Sequence, residues 1–361
     1  MQKEQFIGLM SGTSLDGVDV VLCEIDSEHC DLLASLSYPM PMELKSDILC
    51  MIESKSTLEQ VGELDHRLGV LFAQAVEALV VREKIDASSV VAIGSHGQTL
   101  WHAPQTRHPF TMQLGDPNII TAKTHIPVVS DFRRKDLALG GEGAPFAPAF
   151  HQFIFGNINR SVAVINIGGM ANITVLRDAN RKNLIGYDTG CGNVLLDGWI
   201  AEHLGEPYDK DGAWARSGRV DYALLDVMMQ DEYFALAYPK STGREMFNAS
   251  WLQTYLKGRT HTPEDVQRTL LELTALSIAN EVLKFNIDVA LLCGGGAKNS
   301  FLVERIKALM PNVEVAIVQH ADEIEAMTFA WLAYKRMHNE KVNLKEVTGA
   351  RENAILGGIY V

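Results

Sequence analysis

Cysteine is scarce and unpaired in this sequence: Cys23, Cys30, Cys50, Cys191 and Cys293 are scattered, odd in number and form no C-x-x-C pair. That usage excludes a disulfide framework, a zinc ribbon and a dithiol redox centre, and it fits a reducing cytoplasm best. Positive charge is also short, with 32 Lys and Arg against 45 Asp and Glu and a net charge of −13. General binding to nucleic acid or to an anionic membrane is therefore not expected, and any anionic ligand must be held locally. Long apolar runs are missing as well. The longest uncharged stretch, Ser161 to Leu176, carries Asn166, Asn172 and a glycine pair between Arg160 and Arg177, too short and too polar to span a membrane. Met1 to Gly8 has neither the apolar stretch nor the cleavage site of a signal peptide. Finally, no Gly-Lys pair occurs anywhere, which excludes a P-loop although Gly12 and Gly17 have its glycine spacing.

What is present is length and periodicity. At 361 residues and 47% apolar content the chain is long enough for two domains, since single cores stop growing at about 250–300 residues. Phe6 to Met10 and Val18 to Ile25 are apolar runs around a polar, Gly-hinged loop, which reads as a hairpin. From Leu58 the positions Val61, Leu64, Leu68, Leu71, Phe72, Ala75 and Leu79 recur at helical steps. Val90 to Ile93 reads as a strand ending at Gly94-Ser95-His96-Gly97, and Pro127 to Ser130 as another before Arg133-Arg134-Lys135. The second half repeats the theme: strands at 162–167 and 173–176 around a glycine pair, then a turn at Asp188-Thr189-Gly190. A helix over 266–285 and a strand over 289–293 lead into Gly294-Gly295-Gly296. A helix over 299–310, a strand over 313–318 and a helix from about 323 to 337 complete it. This alternation predicts α/β domains with parallel strands. The lobes are drawn at 1–135 with 348–361, and at 136–347.

Three glycine-cornered segments carry the chemistry. In the run Gly12-Thr13-Ser14-Leu15-Asp16-Gly17-Val18-Asp19, small residues let backbone N–H groups and hydroxyls crowd toward phosphate oxygens. Asp16 and Asp19 are carboxylates able to hold hydrated Mg2+ on those phosphates. A second turn, with Gly168, Gly169 and Asn172, is placed to grip the phosphates from the other side, or else its glycines serve only the turn. The third, Gly294-Gly295-Gly296 running into Asn299, leaves bare backbone on which a flat nucleoside ring can lie. Two phosphate hairpins followed by a Gly-rich nucleoside loop occur in the order used by actin, hexokinase and the heat-shock chaperones. The order implies a two-domain, actin-like ATPase (ribonuclease H-like) fold that binds ATP in a cleft between the lobes.

A narrower resemblance runs through nearly the whole chain. The segments Gly8 to Asp19, Gly94 to Gln98, Gln113 to Pro117, Asp131 to Arg133, Gly141 to Pro145, Asn166 to Asn172, Asp188 to Asn193 and Gly294 to Asn299 resemble those of the anhydro-N-acetylmuramic acid kinases. The resemblance implies an ATP- and Mg2+-dependent, cytoplasmic kinase of cell-wall recycling. Such an enzyme opens 1,6-anhydro-N-acetylmuramic acid with water and yields N-acetylmuramic acid 6-phosphate. It also implies a homodimer, Asp188 as the base that activates water, and Glu325 as a second acidic group near sugar or water. Arg133 suits the lactyl carboxylate, because a guanidinium pairs with a carboxylate through two parallel hydrogen bonds. His96, Gln98 and Asp116 are expected to shape the sugar pocket. Cys191 stands where the family pattern leads one to expect proline, and Glu142 where it leads one to expect glutamine. A kinase of an ordinary amino sugar and a chaperone-like or filament-forming ATPase are the alternatives; the chaperone would be expected to carry a peptide-binding region after its ATPase core.

Overall fold

The computed structural model describes residues 3–12, 15–53, 56–176, 184–258 and 260–361. Thr13 and Ser14, expected in the first phosphate loop, lie outside the described residues. In chain order the strands are β1 (Glu4–Ser11), β2 (Gly17–Ile25), β3 (Cys30–Pro39), β4 (Val90–Ala103), β5 (Phe110–Leu114) and β6 (Val128–Ser130). They continue with β7 (Val162–Ile167), β8 (Met170–Leu176), β9 (Ile185–Cys191), β10 (Val289–Cys293), β11 (Glu314–Ile317) and β12 (Gly358–Tyr360).

The chain divides into two compact units: Met1–Ile154 with Glu323–Val361, and Phe155–Asp322. In the first, the sheet order is β12-β6-β4-β1-β2-β3, with β5 paired to β4. The strands β1, β2 and β3 form an antiparallel meander, and β4 and β6 join parallel to β1 and to each other. In the second, the order is β11-β10-β7-β8-β9, again an antiparallel meander of three followed by two parallel strands. The same five-strand scheme occurs twice, so the topology itself carries the actin-like, ribonuclease H-like arrangement expected from the motifs.

The long helix of the first unit, Leu58–Glu83, begins in a capping box: Thr57 Oγ1 accepts from the Gln60 amide while Gln60 Oε1 accepts from the Thr57 amide. These bonds satisfy two of the amides that a helix start leaves orphaned. Its apolar stripe, Leu64, Leu68, Leu71, Phe72, Ala75 and Leu79, is buried against Ile7, Leu9, Val18 and Val20 of the sheet. Each large side chain so buried contributes roughly 1.5–3 kcal/mol. The helix Ile324–Met337 approaches the same sheet so closely that a Cβ on Gly8 would collide with the Ala326 carbonyl, and one on Gly94 with the Phe329 carbonyl. In the second unit the helix Pro263–Leu283 buries Leu270, Leu271, Leu273, Ile278 and Val282 in a core shared with Ile165, Ile173 and Leu292.

Two local expectations are corrected. β4 does not end at Gly94 but runs on through Ser95, His96, Gly97 and Gln98. A register shift against β1 between Leu9 and Ser11 absorbs Gly97, which sits at φ +80°. Asp188-Thr189-Gly190 is not a turn: it lies inside β9, paired across β8. β3, β5 and the helix Met42–Glu53 join the elements read from the sequence.

Candidate active site

In the first unit, the end of β1 and the middle of β4 are tied side by side. Ser11 Oγ donates to Gln98 Oε1 at 2.7 Å, both residues buried. Beyond Ser11 the loop turns through Gly12 and Leu15, whose amide donates to the Gly12 carbonyl at 3.3 Å, with Leu15 at φ +55°. Asp16 stands exposed, 3.1 Å from Lys45 Nζ, and Asp19 lies on the exposed side of β2 opposite Met10, with buried Val18 beside it. These carboxylates are hard oxygen donors of the kind Mg2+ takes, and among the described residues no group of three or more His, Cys, Asp or Glu side chains is gathered for a metal. Asp16 and Asp19 suit a Mg2+ held by one or two carboxylates and completed by phosphate oxygens and water.

Two residues from β4, His96 and Gln98, share this unit with Arg133. Arg133 Nε and Nη2 donate to His96 Nε2 at 3.1 and 2.8 Å, and Nη1 donates to the Gly143 carbonyl at 2.7 Å. The guanidinium also lies 4.9 Å from the Phe146 ring centroid. Burial lowers the Arg133 pKa to about 10, against the opposing fields of Glu325 and Asp136. Burial first, and the Arg133 charge second, hold His96 well below the usual histidine range, so it is neutral and accepts through Nε2. Glu325 is exposed in the first turn of the helix Ile324–Met337, and its charge reaches Arg133. Asp116 caps the helix Pro117–Thr124, accepting from the Asn118 amide at 2.8 Å. Glu142 accepts from Gln105 at 3.3 Å, and buried Cys191 closes β9.

In the second unit, sheet register lines up Asn166, Asn172 and Asp188 across β7, β8 and β9. The Gly168 and Gly169 carbonyls accept from the amides of Gly192, Asn193 and Val194, which docks the glycine turn on the start of the helix Val194–Leu204. Gly294 sits at φ +78°, where a Cβ would strike Asn166 Oδ1, and a Cβ on Gly296 would strike Ile167, whereas Gly295 has Asn193 no nearer than 4.0 Å. Asn299 caps the helix Ser300–Leu309 through the Leu302 amide at 3.0 Å.

Asp188 is held from a segment the sequence reading passed over. Ser241 Oγ and the Thr242 amide both donate to Asp188 Oδ2, at 3.1 and 3.0 Å, while Tyr233 OH donates to the Asp188 carbonyl at 2.7 Å. Burial raises the Asp188 carboxyl above the ordinary aspartate range, the Thr242 and Ser241 bonds oppose the rise, and Glu245 adds to it. The polar, Gly-containing stretch from Lys240 to Glu245 after Pro239 was the signal available.

A family model described as anhydro-N-acetylmuramic acid kinase matches residues 4–361. A relative of that name from Sulfurovum sp. is 65% identical over 363 residues, spanning all of both chains. Another from Aliivibrio fischeri is 51% identical over 99% of each. Among solved structures, the chain is similar to the (R)-2-hydroxyglutaryl-CoA dehydratase component A of Acidaminococcus fermentans, at 13% identity and a TM-score of 0.48 over 93% of this chain and 99% of that one.

Proposed function

Since the chain belongs to the anhydro-N-acetylmuramic acid kinase family, we propose that Asp188 is the general base of its reaction. The activity is that of the family: phosphorylation of anhydro-N-acetylmuramic acid, in cell-wall recycling, at the expense of ATP. The observation that carries this reading is the 65% identity to a relative of that name over the full length of both chains.

The chemistry follows from the substrate. In a 1,6-anhydro sugar O6 is an ether oxygen and has no proton for a base to remove. The base instead takes a proton from water as the water oxygen bonds to the anomeric carbon and the bond from that carbon to O6 breaks. The electron pair left on O6 attacks the γ-phosphorus, and the bond from phosphorus to ADP breaks. ATP thus takes the place of the acid in glycoside hydrolysis. Asp188 suits the base because its Oδ2 receives both the Ser241 and Thr242 donors, which fixes the plane of the carboxylate and leaves Oδ1 for the proton.

Arg133 is the proposed partner of the lactyl carboxylate. Among the described residues this half-buried guanidinium donates to a neutral imidazole and a carbonyl, Glu325 and Asp136 act on it through their fields, and a carboxylate ligand would supply a directly bonded countercharge. His96, Gln98 and Asp116 shape the sugar side, and Glu325 contacts sugar or water. Gly12 with Thr13 and Ser14, Leu15 to Asp19, Gly168, Gly169, Asn172, the run Gly294 to Gly296 and Asn299 serve the nucleotide. Asp16 and Asp19 would hold Mg2+, which would neutralise charge on the phosphates. The five free cysteines suit a cytoplasmic setting.

Product made in oxygen-18 water tests the core of this reading by mass spectrometry: one heavy oxygen is expected at C1 of the sugar phosphate. A product without label overturns the hydrolytic opening. A homodimer is the proposed assembly, and light scattering should return about twice the 39.8 kDa chain mass.

A further inference from the structure

A buried ionic cluster with no part in the proposed reaction adjoins the backbone of Asp188. Lys240, 7% exposed, places Nζ 2.6 Å from Glu281 Oε1, and Glu281 is 3% exposed. The other oxygen, Glu281 Oε2, accepts from Tyr187 OH at 3.0 Å and lies 2.6 Å from Lys284 Nζ. Lys240 Nζ also donates to the Tyr233 carbonyl at 3.3 Å and lies 4.8 Å from that ring's centroid. A charge pair this deep is costly to desolvate, so it persists only where its geometry is well satisfied.

The cluster fastens one short stretch of chain to β9. The Lys240 carbonyl accepts from the Asp188 amide at 3.1 Å, Tyr238 stacks on Tyr187 at 5.3 Å between centroids, and Tyr233 OH donates to the Asp188 carbonyl. The two residues that follow Lys240 are the two donors to Asp188 Oδ2. Anchoring Lys240 therefore sets where the Ser241 hydroxyl stands. Ser241 is itself exposed and supports no core.

We propose that Ser241 is a positioning residue for the reaction: its hydroxyl, delivered by the Lys240–Glu281 anchor, holds the Asp188 carboxylate in the orientation that takes the proton from water. This rests on the reading of Asp188 as base. A carboxylate held by two donors has one rotamer and a stabilised charged form. Burial and Glu245 disfavour its charge, Thr242 and Ser241 favour it, and the Tyr233 hydroxyl bonds its backbone; Lys240 meets it through the backbone carbonyl, with its ammonium on Glu281.

The test compares Ser241→Ala, Ser241→Thr and Asp188→Asn in full-length protein, by kcat, sugar KM and the pH dependence of kcat. Ser241→Ala should lower kcat about tenfold at neutral pH, leave sugar KM within about twofold, melt at the parent temperature and move the acid limb to higher pH. Ser241→Thr, which keeps the hydroxyl, should restore both rate and limb. With Asp188→Asn inactive, a Ser241→Ala enzyme of parental kcat and unmoved limb overturns the positioning role alone. Equal impairment of Ser241→Ala and Ser241→Thr also overturns it. Full activity in Asp188→Asn overturns the base assignment and this proposal with it.

Discussion

A base must be ionised to accept a proton, so a carboxylate raised by burial loses its function at a higher pH than a solvated one. Asp188 is such a carboxylate, lifted first by burial and restrained by Thr242 and Ser241. The acid limb of kcat should accordingly lie above 3.8, the ordinary aspartate value. A pH profile flat down to that value removes Asp188 from the role. Asp188→Asn keeps the shape and loses the basicity, and should cost about 10²–10⁴-fold in kcat with ATP affinity unchanged by calorimetry. Arg133 acts on the ground state instead. Arg133→Ala should raise the sugar KM far more than it lowers kcat, because a carboxylate bound equally in ground and transition states contributes uniform binding. A KM equal to that of the parent refutes the pairing.

Close contacts between helix and sheet decide what the elements tolerate. Gly8 and Gly94 sit side by side on β1 and β4, each against a carbonyl of the helix Ile324–Met337, whose first turn carries Glu325. Gly94→Ala should lower unfolding free energy by about 1–3 kcal/mol or more through overpacking, read as a lower urea midpoint. Gly62→Ala, on the exposed side of the helix Leu58–Glu83 with no atom within 4 Å of the added methyl, is the opposite case. It should raise stability by roughly 0.5–1 kcal/mol, the helix-propensity difference. A destabilising effect of equal size at both glycines would disprove the packing argument. The ladder of β9 carries a similar dependence: Glu281→Ala leaves the Lys240 ammonium buried without its partner and should cost about 3–5 kcal/mol.

At the scale of the whole molecule, the pH dependence of stability records buried groups in sum. His96 is depressed by burial and by Arg133, and burial alone lowers His151 to about 3. Unfolding releases both to bind protons near the ordinary value of 6.5. The unfolded state therefore binds more protons below pH 6.5, and stability must fall as pH falls through that point. The slope is about 1.4 kcal/mol per pH unit for each histidine. Denaturation curves between pH 7.5 and about 5 should show it, and His151→Gln should remove roughly half. A pH-independent midpoint in the variant and parent alike would mean that neither histidine is held neutral.

Local periodicity determined much of this protein in the sequence alone. The helical step from Val61 to Leu79, the apolar runs around Gly12 and Gly168, and the strand before Gly294 all became elements close to their expected bounds. Burial of one face per element is written into nearest neighbours along the chain, so it can be read there. The motif order also carried the family, since loop glycines are required where backbone approaches phosphate or a neighbouring strand. What only tertiary structure decided is which distant residues meet. Asp188 reads locally as a turn residue, but pairing with β8 makes it a strand residue opposite Asn172. Its donors come from residues 53 and 54 positions away, and Tyr187 meets Glu281 across 94. Sheet register and desolvation select those meetings, and neither quantity exists until the chain has closed on itself.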